Sequence, residues 1–389
     1  MKLTTFKGLL KKVVPLGLTL IVCFGCSILP ERKQPTSEIK LTPFWVSDSL
    51  SKENFGFRKI NRFSPLKHEN QIIVANALDG IVSYDITTKS QKWRFPIRYG
   101  VESAGIIAGG MLFFGALDGT VHALNADNGQ LIWRFETKNE IVAEPLLNNG
   151  VIYILNAANA LYALDASSGK QLWVYNRQET SAKMTIRGGS RPTYNQGVIY
   201  VGFSDGNMVA LNAQTGSAQW EVFLNKNPRF KDIDASPVVD GDYIYVNSYD
   251  DKLYCLSKSA GTILWKSDFG GASAPIISGD KLIYSSSKGY LISVSKTDGK
   301  LLWKKETSLG IFTEPILYKG NIVVGESQGS LLFFNMLSGE PLASFDPGRG
   351  IMSRINIVDN VAYFISGEAN VYGVRIDKKT MSQIPYLVQ

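Results

Sequence analysis

The sequence predicts an all-β protein, an eight-bladed β-propeller of four-stranded antiparallel blades that is closed by the N-terminal strand. Three observations support this prediction. A unit of about 40 residues recurs along the 389-residue chain, two turn signals separate short apolar runs within each unit, and an aromatic residue follows the second turn. Four antiparallel strands in about 45 residues is the size of one propeller blade.

The repeating unit is clearest at residues 197–220. Two turn signals, at 204–207 and 214–217, separate three short apolar runs. Gly and Asn favour turns here because both tolerate positive φ. Trp220 lies in the third run, and residues 191–194 can supply a fourth, innermost strand.

The aromatic marker recurs at spacings of 38 to 47 residues. The markers are Trp93, Trp133, Trp173, Trp220, Trp265, Trp303 and Phe345. We predict that each Trp packs between neighbouring blades, with its N–H bonded to a neighbouring backbone. Stacking on a carbohydrate or a cofactor is the less favoured alternative for these side chains.

The two ends of the propeller region together supply the eighth blade. Residues 351–376 contain two further strands with no marker-bearing strand after them, whereas residues 43–46 form such a strand, carrying Trp45, without predecessors. Pairing these segments closes the ring and removes an open sheet edge. We therefore expect one propeller domain over 43–389. Seven blades is the alternative.

The first 25 residues have the form of a signal peptide that is removed. A basic segment precedes an apolar run at 13–24, which is too short to span a bilayer as a helix. The following Gly25-Cys26-Ser27 resembles the processing site of bacterial lipoproteins, so we expect lipidation at Cys26. Cys23 and ordinary secretion are the alternatives. Residues 26–42 then form the lipidated Cys and a flexible tether.

Charge and cysteine content argue against a nucleic-acid-binding protein and against a protein held together by disulfides. The net charge is +7, but four lysines lie in the leader, so the sequence gives no support for nucleic acid binding. After removal of the leader and acylation of Cys26, Cys255 is the one cysteine left, so no intramolecular disulfide can form. We expect Cys255 to be buried.

Two consecutive connections are longer than a propeller requires. From marker to the Pro of the next inner strand, Trp173–Pro192 and Trp220–Pro237 span 19 and 17 residues, against 10 to 12 after Trp133, Trp265 and Trp303. The interval Trp45–Pro65, at 20 residues, is a third candidate, but it also contains the ring closure. Loops on a rigid scaffold often carry function.

The first of these loops contains Met184, Ile186 and Arg187, and the second contains Asp232 and Asp234. An apolar pair and an Arg beside two carboxylates is typical of a protein-binding hot spot. A solvated loop, with Asp residues that cap turns and apolar residues that seal the rim, explains the same pattern equally well.

Enzymatic function is not favoured. The competing hypotheses are a quinone-dependent dehydrogenase on this fold and a periplasmic propeller that binds carbohydrate or peptidoglycan. The sequence contains no adjacent cysteine pair, and its two histidines, His68 and His122, lack metal-ligand spacing. We predict no catalytic residues, no metal and no cofactor.

The repeat, with its Asp-Gly first turn and its Gly and Trp at the second, resembles the quinoprotein-type propeller family. Segments 186–192 (IRGGSRP), 231–239 (KDIDASPVV) and 320–329 (GNIVVGESQG), together with the leader, are similar to those of the outer-membrane lipoproteins that assist β-barrel assembly. This resemblance implies a scaffold that faces the periplasm and helps barrel proteins to fold and insert into the outer membrane. Ser27, directly after Cys26, matches lipoproteins sorted to that membrane.

The resemblance also implies partners and contact residues. The partner is the central barrel subunit, bound through its POTRA domains, and unfolded barrel precursors are further candidates. The family's pattern of two apolar residues and an Arg falls on Met184, Ile186 and Arg187, and its acidic pair falls on Asp232 and Asp234. Met184 stands where the family more often has Leu, a tolerable change at a contact.

Replacing Cys26 with Ala should abolish lipidation. Cells labelled with palmitate should yield a labelled parent and an unlabelled Cys26→Ala protein, because the acyl chains of the anchor require this thiol. A Cys23→Ala variant should keep its label. If Cys26→Ala protein carries as much label as the parent, the anchor lies elsewhere.

Overall fold

Each predicted repeat folds into one four-stranded antiparallel sheet, and eight such sheets are found in the computed structural model. The structure describes residues 38–50, 62–76, 78–177, 189–225, 231–271, 273–307 and 309–378. These residues form strands and turns, and no helix among them is long and apolar enough to cross a membrane. The predicted eight-bladed propeller is confirmed.

The strands are short and follow one another in chain order. After β1 (Ile39–Asp48), blade 1 contains β2 (Leu66–His68), β3 (Gln71–Asn76), β4 (Gly80–Asp85) and β5 (Gln91–Pro96); blade 2 contains β6 (Ile106–Ala108), β7 (Met111–Gly115), β8 (Thr120–Asn125) and β9 (Leu131–Glu136); blade 3 contains β10 (Leu146–Asn148), β11 (Val151–Leu155), β12 (Ala160–Asp165) and β13 (Gln171–Asn176); blade 4 contains β14 (Thr193–Asn195), β15 (Val198–Gly202), β16 (Asn207–Asn212) and β17 (Ala218–Phe223).

The second half repeats this order. Blade 5 contains β18 (Val238–Asp240), β19 (Tyr243–Ser248), β20 (Lys252–Ser257) and β21 (Ile263–Ser267); blade 6 contains β22 (Ile276–Ser278), β23 (Lys281–Ser285), β24 (Tyr290–Ser295) and β25 (Leu301–Glu306); blade 7 contains β26 (Ile316–Tyr318), β27 (Asn321–Gly325), β28 (Leu331–Asn335) and β29 (Pro341–Phe345); blade 8 contains β30 (Asn356–Val358), β31 (Val361–Ile365) and β32 (Asn370–Lys378), with β1 as its outer strand.

The position of a strand within its blade sets its burial pattern. The second and third strands are covered on both faces by the neighbouring blades, and all six residues of β3 are buried. The outer strands alternate between partly buried and exposed residues, as in β17. Continuous apolar runs are the sequence pattern of strands buried on both faces.

Each Trp marker packs on the second turn of the next blade. Trp133 Nε1 donates to the Ala166 carbonyl at 2.9 Å, and Trp173 and Trp220 make equivalent bonds at 3.0 Å. A Cβ on Gly169 would lie 2.6 Å from Trp133 Cε3. The same close approach joins Gly129 to Trp93, Gly216 to Trp173, Gly261 to Trp220, Gly299 to Trp265 and Gly339 to Trp303. The predicted packing of the markers between blades is confirmed. The predicted bond to a neighbouring backbone does not hold for every marker: Trp93 Nε1 donates to the Gln71 side chain of its own blade at 3.2 Å, and Trp303 Nε1 has no acceptor among the described residues.

The N-terminal strand closes the ring, as predicted. β1 pairs antiparallel with β32, and Trp45, opposite Gly373, is 1% exposed. Asn356 Nδ2 donates to the Pro65 carbonyl at 2.8 Å and so joins blade 8 to blade 1. β1 begins at Ile39, four residues before the expected start of the propeller at Pro43, because residues 39–42 continue the ladder opposite 375–378.

The Trp–Gly contact can be tested with two glycines of one blade. Gly169 and Gly150 both have positive φ, +70° and +77°, but a Cβ on Gly150 would meet no heavy atom within 4 Å. Both Ala variants should suffer backbone strain. Gly169→Ala should lose roughly 1–3 kcal/mol more in free energy of unfolding, because the added methyl overlaps Trp133. Equal losses in denaturant titrations would contradict the role assigned to this contact.

Candidate functional site

A cavity of about 270 Å³ lies on the propeller axis, where the inner strands begin. All eight blades contribute to its lining. In blade order, the contributing residues include Arg62, Glu102, Glu144, Arg191, Asp234, Ser273, Glu314 and Arg354. The same face carries the connections from each outer strand to the next inner strand, including the two long ones.

An ion-pair network crosses this cavity. Arg354, from blade 8, contacts both Glu314 of blade 7 and Glu144 of blade 3. Arg191, from blade 4, places Nη1 3.2 Å from Glu144 Oε1. Burial alone would lower the pKa of Arg354, but Glu314 and Glu144 raise it above its ordinary value. Charge-assisted bonds of this kind hold the two sides of the axis together.

The two predicted acidic residues occupy different environments. Asp232 is fully buried, whereas Asp234 is partly buried and faces the axial cavity. Between them, Ile233 is completely buried and donates its N–H to the Phe203 carbonyl at 3.2 Å. The Asp232 carbonyl accepts the Tyr249 N–H at 3.2 Å. These contacts anchor the end of the second long connection inside the propeller.

The carboxyl of Asp234 has a perturbed pKa. Burial raises it well above the ordinary value, the negative charge of Asp232 raises it further, and Arg62 opposes both effects. The structure therefore brings the two acids close enough to interact, although only Asp234 faces the cavity. Such perturbed groups often mark functional positions.

Met184, Ile186 and Arg187 lie outside the described residues. The structure resumes at Gly189, and a Cβ there would lie 2.8 Å from the Ala143 Cβ. The next residue, Ser190, is 1% exposed and its Oγ donates to the Ala235 carbonyl at 3.2 Å. The end of the first long connection is thus hydrogen-bonded to the end of the second.

Glu144, Glu314 and Arg354 were not predicted as site residues. Each lies two residues before the innermost strand of its blade, as Arg191 does. Charged residues at this repeated position were the available signal. This signal can be recognised only once the blade register shows that the position faces the axis.

Neither histidine lines the axial cavity. His122 is buried and stacked at 5.2 Å on Phe114, and burial lowers its pKa to about 4. His68 lies beside Glu69 and Asp127, the one group of three potential metal ligands within the described ranges. Its Nε2 is 2.8 Å from Asp127 Oδ1, which joins blade 1 to blade 2.

Comparison with known proteins gives concordant results. A family model described as outer membrane protein assembly factor BamB matches residues 79–250 and 225–378. The chain is 26% identical over 382 residues to the outer membrane protein assembly factor BamB of Shewanella oneidensis, covering 92% of this chain and 96% of that protein. The BamB of Salmonella typhimurium is 25% identical over 148 residues, 38% of each chain.

Solved structures share the fold. The crystal structure of BamB from Moraxella catarrhalis matches with a TM-score of 0.70 and 20% identity, covering 86% of this chain and all of that one. The quinohemoprotein alcohol dehydrogenase of Comamonas testosteroni also reaches a TM-score of 0.70, at 13% identity, covering 90% of this chain and 78% of that one. At these identities the likeness concerns the propeller alone.

Asp234→Asn should alter the pH dependence of stability. Because the folded-state pKa of Asp234 is raised, the parent loses stability as pH rises from the unfolded pKa through the folded one. The Asn variant lacks this loss. Its melting temperature should exceed that of the parent at pH 7, and the difference should shrink towards pH 4.

Asp165→Asn is a control for which we expect a change in melting temperature of the opposite sign. Hydrogen bonds from Ser167 and Ser168 lower the pKa of Asp165 in the folded protein. Asp165 therefore stabilises the folded state above its unfolded pKa, and this stabilisation is lost as pH falls through the folded pKa. This variant should melt below the parent at pH 7. A pH-independent difference in melting temperature for Asp234→Asn would exclude the proposed perturbation.

Proposed function

The chain belongs to the family of outer membrane protein assembly factor BamB, and we propose on that basis that it is a non-catalytic scaffold lipoprotein of the β-barrel assembly machinery. It docks the POTRA domains of the central barrel subunit and so assists the folding and insertion of β-barrel proteins into the outer membrane. The observation that carries this proposal is the meeting of the two long connections: Ser190, at the end of one, is bonded to Ala235, at the end of the other.

The docking surface consists of Met184, Ile186 and Arg187 with Asp234, supported by Asp232. Their connections belong to the consecutive blades 4 and 5 and leave from one face. The apolar pair supplies desolvated contact area, and Arg187 and Asp234 supply complementary charges for a polar partner surface. Because Asp232 is buried, we assign it an indirect role through the charge and position of Asp234.

The chemistry of the described residues supports a binding role over catalysis. Carboxylates outnumber guanidinium groups four to three among the charged residues that line the axial cavity, and Arg191 and Arg354 are already paired. Such a site does not favour an anionic quinone. Burial raises the pKa of the Cys255 thiol to about 12, so it is not a reactive thiolate at neutral pH.

A lipid at Cys26 would hold this scaffold at the periplasmic surface of the outer membrane. Residues 27–38 separate Cys26 from the first residue of β1. Fully extended, twelve residues reach roughly 40 Å. The propeller can therefore approach a partner beside the membrane without leaving its anchor. Unfolded barrel precursors remain candidate partners of another surface.

Arg187→Ala should weaken binding to purified POTRA domains by about thirtyfold, because loss of a hot-spot residue typically costs about 2 kcal/mol or more. Calorimetry measures the affinity, and a melting curve checks the fold. Arg134→Ala, on the exposed outer strand of blade 2, is the matched control and should bind like the parent. Asp232→Ala is a poorer probe because it alters a buried residue.

Two results would contradict this assignment. Unchanged affinity in both Arg187→Ala and Asp234→Asn would place the docking surface elsewhere. A fall in melting temperature that matches the lost affinity would mean that these loops act on stability alone.

A further inference from the structure

Three potential metal ligands meet where blade 1 contacts blade 2. His68 is the last residue of β2, Glu69 follows it in the turn to β3, and Asp127 lies in the turn between β8 and β9. Their ligand atoms, one from each side chain, all lie within 4.8 Å of one another. Because the inner strands begin at the axial cavity, the end of β2 lies on the opposite face of the propeller. His68 is partly buried, and both carboxylates are exposed and open to ions from solvent.

The two carboxylates of this group are not neutralised by a basic side chain of the chain itself. Within the ranges that the structure describes, no Lys or Arg forms an ion pair with Glu69 or Asp127, and Asp127 contacts only His68 in this way. The nearby Lys67 is engaged elsewhere, because its Nζ lies 3.2 Å from Asp359 Oδ2 of blade 8. Two negative charges therefore stand beside one imidazole.

Two other junctions of the ring hold a lysine ammonium at the equivalent place. Lys258 of blade 5 reaches Asn195 and Gln196, at the end of the inner strand of blade 4, at 3.4 and 3.3 Å. Lys296 of blade 6 reaches Asp240, at the end of the inner strand of blade 5, at 2.6 Å. In both junctions a cation from one blade occupies the end of the preceding inner strand.

Blade 2 carries Ala126 where blades 5 and 6 carry these lysines. The correspondence is set by a shared backbone bond, since all three residues donate their N–H to the turn between the first two strands of their own blade. His68 ends its inner strand, as the acceptors in blades 4 and 5 do. The junction of blades 1 and 2 thus presents a richer set of ligands without the ammonium group that would occupy it.

This junction also lacks a hydrogen bond that others have. In blades 2, 3 and 4 the indole N–H of the marker bonds a backbone carbonyl of the next blade. Trp93 of blade 1 donates instead to Gln71 of its own blade, so the Ala126 carbonyl, at the equivalent place, receives no indole bond. An ion shared by the two blades would supply a link where this bond is missing.

We propose that His68, Glu69 and Asp127 bind a divalent transition-metal ion, for which Zn²⁺ is the probe, and that the ion links blade 1 to blade 2. The imidazole selects against Mg²⁺ and Ca²⁺, which prefer oxygen ligands, and suits Zn²⁺. The two carboxylates balance the charge of the ion, and water completes its coordination. The site is independent of the proposed docking function.

The geometry of the three side chains suits this ion. Neighbouring ligands of a tetrahedral zinc lie about 3.3 Å apart. His68 Nε2 and Asp127 Oδ1, now 2.8 Å apart, need to separate only slightly. Asp127 is 58% exposed and can turn to allow this. His68 then binds through Nε2 and carries its proton on Nδ1. The expectation of no metal rested on the spacing of the histidines, which does not reveal ligands 59 residues apart.

The test titrates Zn²⁺ into the full-length protein, purified in detergent without a histidine tag and freed of metal with EDTA that is then removed. Calorimetry should show one ion bound per chain. Zn²⁺ should raise the melting temperature, because an ion that binds only the folded state stabilises it. Mg²⁺ and Ca²⁺ at the same concentration should leave it unchanged. Absence of saturable Zn²⁺ binding would overturn the proposal, as would an equal response to Mg²⁺.

Two variants assign the ion to this site. His68→Asn introduces the residue that blade 4 carries at the equivalent place, and Asp127→Asn is isosteric. Each should weaken Zn²⁺ binding at least tenfold, since loss of even an outer-shell partner of a ligand costs about 10- to 100-fold. Asp359→Asn, at the turn position in blade 8 that Glu69 occupies in blade 1, is the matched control and should bind like the parent. Parental affinity in His68→Asn or Asp127→Asn would overturn the assignment, and so would an equal loss in Asp359→Asn.

A third variant restores the lysine of the other junctions. Ala126→Lys places an ammonium group beside His68 and Asp127, where it competes with the ion and repels it. Zn²⁺ binding should fall about tenfold or more, with no loss of melting temperature in the absence of zinc. Parental Zn²⁺ affinity in this variant would contradict the proposed equivalence of ion and lysine. Because Ala126 is buried, the His68→Asn and Asp127→Asn results decide the proposal if Ala126→Lys does not fold.

Discussion

The contact between a Trp of one blade and a Gly of the next is the constraint on which the propeller depends. The Gly has positive φ and no Cβ, so the turn can form and the indole can lie directly on the backbone. In three of these interfaces the indole N–H also bonds a carbonyl of the next blade. One contact therefore sets both the spacing and the orientation of successive sheets.

The two remaining interfaces flank the closure and use other rings. Phe345 of blade 7 packs edge-on against Phe364 and Tyr372 of blade 8, at 6.4 and 5.9 Å. Trp45 lies 5.9 Å from Tyr84 of blade 1. Edge-to-face pairs are tolerant of exact distance. The ring is completed here by the pairing of two distant strands, β1 and β32, rather than by a local turn. Interfaces that accept a range of ring distances suit the blades on either side of this closure.

Local signals made the fold predictable from the sequence. Turn glycines and markers such as Trp133 recur every 38 to 47 residues, and each identifies a turn or strand of its own blade. The start of β1 at Ile39 was missed because the alternation of Ile39 and Leu41 with polar residues is too short to be decisive, and these residues form a strand opposite β32. The burial of Asp232 was missed for a similar reason, since it depends on packing against Tyr249 and its neighbours rather than on the acidic motif.

The axial ion-pair network could not be predicted from the sequence because its members are far apart in the chain. Glu144 and Arg354 are 210 residues apart, and only the closed ring brings them together. Buried ion pairs add little net stability, but leaving one charge unpaired is costly. A row of charges at the axis therefore penalises any arrangement of blades in which its members do not meet. The Trp–Gly contacts determine how each blade follows the last, and the Arg354–Glu144 pair links blades 8 and 3, which are not neighbours. Together they specify how the blades are arranged around the axis.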